Sequence, residues 1–305
     1  MTLPMLQNDH KRDIVVYSCV LYFGVIANIV VLYSLWRTWR QGSRGQYFFL
    51  HLSISNLLAL CLYLGTRIAV TATVMWVAGI AACKVVMFFS LLGVLLVNYT
   101  VVAFSVDNAI GIVTKSDGKT RRHVLQVLAW IFAIAICSTQ PYFYNVLTFW
   151  FDPDYSYCVA MLPHAAEEAY HWSMIAGLYL FPIVTIVVAN AVAVVMWAAN
   201  RSPPLAEKPN ASAIITDIRT WTLELFITIA LGLVVFICWT PVAVFRMVRS
   251  EDRYQNVRNT LFFALDVFSL MTYCFIPAVY GVYRAITKTR AESTHGLEPK
   301  PTSRD

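Results

Sequence analysis

The chain has 305 residues, 59% of them hydrophobic and 13% charged, with a formal net charge of +6. So few charges cannot cover a soluble globule of this size, and the composition also excludes a disordered chain. The apolar residues gather in blocks long enough to cross a hydrocarbon core of about 30 Å, so the chain reads as one that passes through a lipid bilayer repeatedly.

In chain order, residues 1–13 (MTLPMLQNDHKRD) have no apolar core of their own. No cleavable signal peptide is therefore expected, and the first helix serves as the membrane signal. Seven apolar blocks follow at 14–36, 47–69, 84–113, 124–148, 172–199, 218–246 and 259–284. Inside lipid every backbone polar group must be satisfied within its own segment, which makes the expected fold an all-α membrane protein. Its expected organisation is an N-terminal segment over 1–13, a seven-transmembrane-helix bundle over 14–285 and a tail over 286–305. Pro141, Pro182, Pro241 and Pro277 are each expected inside one of the last four helices, where a missing N–H bends the helix into a hinge. The longest insert, NRSPPLAEKPNASAII at 200–215, is Pro-rich and mixed in charge and reads as a connector. No internal repeat is visible, which speaks against an inverted-repeat transporter.

Basic residues set the orientation. Most of the 23 Lys and Arg fall on one side, in groups around Arg37 to Arg44, Lys115 to Arg122, Arg201 to Arg219, and Arg284 to Arg304. The positive-inside rule places that side in the cytosol, with the N-terminus outside and the C-terminus inside. Arg249, Arg253 and Arg258 dissent, beside Glu251 and Asp252. The Asn-x-Ser triplets at Asn200 and Asn210 would then face the cytosol and stay unglycosylated. Five cysteines lie within apolar spans, but Cys83 and Cys158 fall on the predicted oxidising face, where a disulfide persists and would tether the second outer loop over the bundle.

From Asn28 to Tyr280 the chain resembles the rhodopsin-like (class A) G-protein-coupled receptors. The resemblance rests on LHLSISNLLAL at 50–60, Cys83, AFSVDNAIGIV at 103–113, Trp130, Pro182, CWTP at 238–241 and IPAVY at 276–280. Within that family, STQPYFYNVL, CWTPVAVF and CFIPAVYG are similar to the receptors for gonadotropin-releasing hormone, adipokinetic hormone and corazonin. The resemblance implies a plasma-membrane receptor, not an enzyme, with an extracellular peptide ligand, a heterotrimeric G protein at the cytosolic face, and no cofactor or nucleic-acid partner. It also implies that Trp239 packs beneath the ligand and that Tyr280, after Pro277, swings inward near the cytosolic end.

Several switch positions depart from the family. The acid ending the third helix, Asp107, is usually followed by an arginine that pairs with it and contacts the G protein; here Asn108 stands there, then Ala109 in place of an aromatic. An Asn amide has neither the charge nor the forked donors of a guanidinium. Asp107 is expected either to borrow a base from Lys115, Arg121 or Arg122, or to remain a hydrated carboxylate at the interface. The acid that binds sodium in many relatives is Asn56, its serine partner is Val97, and the polar residue before Pro277 is Ile276, so a sodium site is not expected. The fifth-helix tyrosine that meets Tyr280 is replaced by Asn190. These losses raise a second reading, a divergent chemosensory or non-signalling, decoy-type heptahelical receptor; a channel or transporter is a weaker third.

Ligand contacts are expected in the outer half. Arg67, Asp266 and Arg246 are intramembrane charges, which usually face an aqueous cavity and mark function. The alternative for Arg67 and Asp266, on neighbouring helices, is a structural ion pair. Ser90 faces the same space without an amine-binding acid, and Leu270 stands near the position of a retinal-binding lysine, which disfavours a monoamine receptor and an opsin.

Overall fold

The computed structural model describes residues 3–38, 43–116, 118–149, 152–200, 211–247 and 255–295, with side chains over 10–38, 43–116, 118–148, 156–163, 165–199, 220–245 and 261–289. Among the described residues seven long helices are apolar enough to cross a membrane. We label them α1 (Leu3–Thr38), α2 (Arg44–Thr73), α3 (Gly79–Thr114), α4 (Lys119–Phe143), α5 (His164–Ile175 continuing to Asn200), α6 (Ala211–Met247) and α7 (Gln255–Leu270 with Thr272–His295). The seven expected blocks each lie largely within one of them. Helix α1 begins inside the expected N-terminal segment, and α7 runs on into the expected tail.

Helix α3 is the axis of the bundle. It is apolar around most of its circumference, as a helix enclosed by others must be, and packs on α2, α4, α5 and α6. The opposite case is α1, which turns Phe23, Val30 and Trp36 outward, where acyl chains are the solvent. Aromatic packing fixes the half of the bundle around the C-terminal end of α3: Phe104 of α3 stacks on Phe48 of α2 at 4.6 Å, and Phe49 meets Tyr280 of α7 edge-on at 5.1 Å.

The prolines are arranged less uniformly than expected. Pro241 and Pro277 lie inside α6 and α7. Pro141, by contrast, sits in the first turn of Gln140–Phe143, a short helical piece that closes α4 after its long segment has stopped at Cys137. There its missing N–H costs nothing, because first-turn donors have no intrahelical acceptor. Pro182 follows a π turn at Ala176–Leu180. In two helices a neighbour satisfies the carbonyl that the proline leaves unmatched. Asn98 of α3 donates to Leu178 O at 2.8 Å, four residues before Pro182, and Asn28 of α1 donates to Tyr273 O at 3.0 Å, four before Pro277.

A β-hairpin, absent from the sequence reading, joins α4 to α5. Strands β1 (Tyr144–Phe149) and β2 (Asp152–Ala160) pair antiparallel, with Val146 opposite Cys158. The Cys83–Cys158 disulfide ties β2 to the start of α3, as expected. Trp76 N–H adds a bond to Ser156 O at 2.7 Å, so the hairpin lies across the bundle mouth.

Candidate functional site

Two polar assemblies stand at opposite ends of α3. Beneath the hairpin lies a cavity of about 500 Å³. Arg67 of α2, Ser90 of α3, Trp239 of α6 and Asp266 of α7 all line it, so four of the five residues expected at a ligand site come together. The fifth, Arg246, has its side chain outside the described residues. Tyr157 of the hairpin and Tyr170 and Met174 of α5 complete the wall.

Asp266 is 3% exposed and well satisfied. Its Oδ2 accepts from Tyr17 Oη at 3.0 Å and from Arg67 Nη2 at 3.5 Å, and its Oδ1 accepts from Tyr63 Oη at 3.3 Å. Arg67 Nη2 also donates to Tyr17 Oη at 3.3 Å. The ion pair is therefore present, but within a four-residue network joining α1, α2 and α7. Tyr17 and Tyr63 escaped the sequence reading because a tyrosine in an apolar helix carries no charge to mark it. Arg67 keeps 44% of its side chain exposed, so its other donors reach the open space. Ser90 Oγ and Trp239 Nε1 are buried at the cavity and form no hydrogen bond. The walls consequently offer donors whose acceptors are missing.

Midway along the bundle, amides bridge the helices. Asn56 donates to Asn28 Oδ1 at 2.9 Å. Val97 and Ile276 beside this level are buried core residues. Asn190 accepts from Thr228 Oγ1 at 2.8 Å and donates to Ser105 Oγ at 3.4 Å, linking α5, α6 and α3. Tyr280 faces away from Asn190: its hydroxyl is 2.9 Å from Ser34 Oγ of α1. Among the described residues no cluster of three or more His, Cys, Asp or Glu could hold a metal ion.

At the far end Asp107 is completely buried, which rules out the hydrated interface carboxylate. Of the three bases considered for it, Arg121 is the one in place, with Nε donating to Asp107 Oδ1 at 2.7 Å and Nη2 to the Asp107 carbonyl at 3.3 Å. A second guanidinium arrives from α2. Arg44 Nε lies 3.3 Å from Asp107 Oδ2, and Arg44 Nη1 lies 3.3 Å from Glu224 Oε2 of α6. Its plane sits 3.7 Å over the Trp221 ring. Local structure places it there: Ser43 caps α2, accepting from Gln46 N–H while Gln46 Oε1 accepts from Ser43 N–H, so Arg44 opens the helix facing α3. Arg44 was read as one of many basic loop residues, because no spacing links it to Asp107. Asn108 is also fully buried, and neither its amide oxygen nor its nitrogen has a partner.

The comparisons with known proteins agree with this architecture. Residues 27–280 match the family of 7 transmembrane receptors of the rhodopsin type. The rat gonadotropin-releasing hormone receptor is 25% identical over 306 residues, covering 92% of this chain and 91% of that one. The RYamide receptor of Drosophila melanogaster is 22% identical over 87% of this chain and 59% of its own, and the mouse galanin receptor type 1 is 28% identical over 57% and 51%. With seven spanning helices, the hairpin-capped cavity and a family match over most of its length, this chain belongs to the rhodopsin family of seven-transmembrane receptors and is a multi-pass plasma-membrane protein.

Proposed function

We propose that the receptor binds an extracellular peptide in the hairpin-end cavity and transmits its occupancy to a heterotrimeric G protein at the opposite, cytosolic end. The distribution of Lys and Arg supports this orientation, as does the disulfide at the end predicted to be oxidising. Relatives named as receptors for gonadotropin-releasing hormone, galanin and RYamide support a peptide ligand.

The observation that carries the reading is the donor-rich wall of the cavity. Arg67 and the Trp239 indole can only donate, and the Ser90 hydroxyl can do either. Among the described lining residues the one acid is Asp266, already met by three donors. Among the described residues a cationic amine would find no unspent counterion, whereas peptide carbonyls or a carboxylate would supply the missing acceptors. The buried end of the ligand is thus acceptor-rich and neutral or anionic, and Tyr157, Tyr170 and Trp239 offer faces for apolar or aromatic side chains. A neuropeptide library screened by binding to the receptor in nanodiscs tests this. Peptides that bind should lose affinity on Trp239→Phe and Ser90→Ala; selective capture of amines alone would refute it.

The second reading, a non-signalling receptor, draws on Asn108, which brings no charge to the end where a G protein would dock. Nucleotide exchange on purified G protein in the presence of a bound peptide separates the two.

A further inference from the structure

We infer that Arg44 is the cation holding the cytosolic ends of α2, α3 and α6 together in the resting receptor, the role that Asn108 leaves unfilled on α3, and that its separation from Glu224 frees α6. The inference rests on the reading above only where it says what the freed end then meets.

The geometry is specific. Arg44 has 5% of its side chain exposed and stands between two carboxylates on two other helices, Asp107 at 0% and Glu224 at 3% exposure. Its flat face lies on Trp221, one turn from Glu224 on the same helix, so α6 grips it by a charge and by a ring. Space is kept for this passage. A Cβ at Gly111 of α3 would come within 2.1 Å of the Trp221 ring and 2.7 Å of Arg44 Nη1.

Among the described residues, Arg44 and Arg121 face Asp107 and Glu224, two cations against two anions. Burial makes each charge costly to strand: without Glu224, Arg44 keeps Asp107, and without Arg44, Asp107 keeps Arg121, but either loss removes the ionic tie between α6 and the other two helices. Opening separates Glu224, and with it the inner end of α6, from α2 and α3.

The test uses the full chain in lipid nanodiscs, without ligand. Hydrogen–deuterium exchange over residues 220–230 reads the inner end of α6, and basal nucleotide exchange is measured on purified heterotrimers of each class. Glu224→Gln keeps the side-chain shape and removes one charge; it should speed amide exchange in that segment about tenfold, the change that about 1.4 kcal/mol produces. Arg44→Ala should do the same. Arg44→Ala combined with Asn108→Arg should restore the wild-type rate, because the cation is returned beside the same acids from α3. Unchanged exchange in Glu224→Gln overturns the inference, and that variant decides alone if Arg44→Ala does not fold. Acceleration spread evenly over all seven helices, or acceleration that Asn108→Arg leaves uncorrected, also overturns it. Faster amide exchange with no rise in nucleotide exchange on any heterotrimer leaves the lock standing and removes the coupling reading instead.

Discussion

Asn108 is fully buried with neither half of its amide hydrogen-bonded. Such a group costs about 1–3 kcal/mol relative to an apolar one of similar shape. Asn108→Leu should therefore raise the unfolding temperature of the purified receptor, measured by thermal denaturation in detergent; a lower temperature would mean that the amide has a partner in the folded protein. The same scale governs the hairpin-end cavity. Asp266→Ala removes the shared acceptor of Arg67, Tyr17 and Tyr63, so it and Arg67→Ala should each weaken peptide binding, with a double mutant well short of the sum because the two share one network. Additive losses, or unchanged affinity in both single variants at normal surface expression, would make the charges independent of the ligand. Charged residues were the legible ones in the sequence: an acid or arginine inside an apolar run is costly and so announces itself. Tyr17, Tyr63 and Arg44 were not legible, the first two because a phenol is at home in a membrane helix, the third because its partners are far away in the chain.

Helices were legible because lipid leaves a spanning segment little choice, and the seven blocks follow from hydropathy and length alone. Details that depend on neighbours were hidden. The π turn at Ala59–Leu64 of α2 and the break at Met271 in α7 have no sequence marker of their own. The hairpin is hidden in the sequence because the apolar YNVLT continues the fourth block, 124–148, while DPDYSYCVA lies in the connection to the fifth, and two strands of this length persist only when docked on something larger. Here the dock is the disulfide and Trp76. Cys158→Ala should cost about 2–5 kcal/mol and lower surface expression, read by cell-surface labelling, with peptide affinity falling as the cavity loses its lid; unaltered expression and affinity would show the hairpin to be held without the bridge. Between α2 and α3 the approach is backbone-close, since a Cβ at Gly93 would fall 2.6 Å from Ala59 N and 2.8 Å from its Cα. Neither atom can swing aside. Gly93→Ala should force the helices apart and destabilise the receptor by about 1–3 kcal/mol, visible as a lower unfolding temperature, whereas Ala at the open position Gly65 should be tolerated.

At the scale of the whole molecule, α3 connects the two polar assemblies. Ser90 faces the cavity near one end of it, Asn98 and Ser105 bond α5 midway, and Asp107 anchors the paired arginines near the other. A ligand can shift such a bundle only through unequal affinity for its two arrangements, and the stacked helices supply the connection. The measurement that tests this most directly is nucleotide exchange on purified G protein by the receptor in nanodiscs, with and without a peptide shown to bind it, for the wild type and for Asp266→Ala. The peptide should raise exchange in the wild type, and Asp266→Ala should need at least about tenfold more peptide for the same effect, a loss of about 1.4 kcal/mol. A peptide that occupies the cavity at saturation and leaves exchange at its basal rate would contradict this coupling.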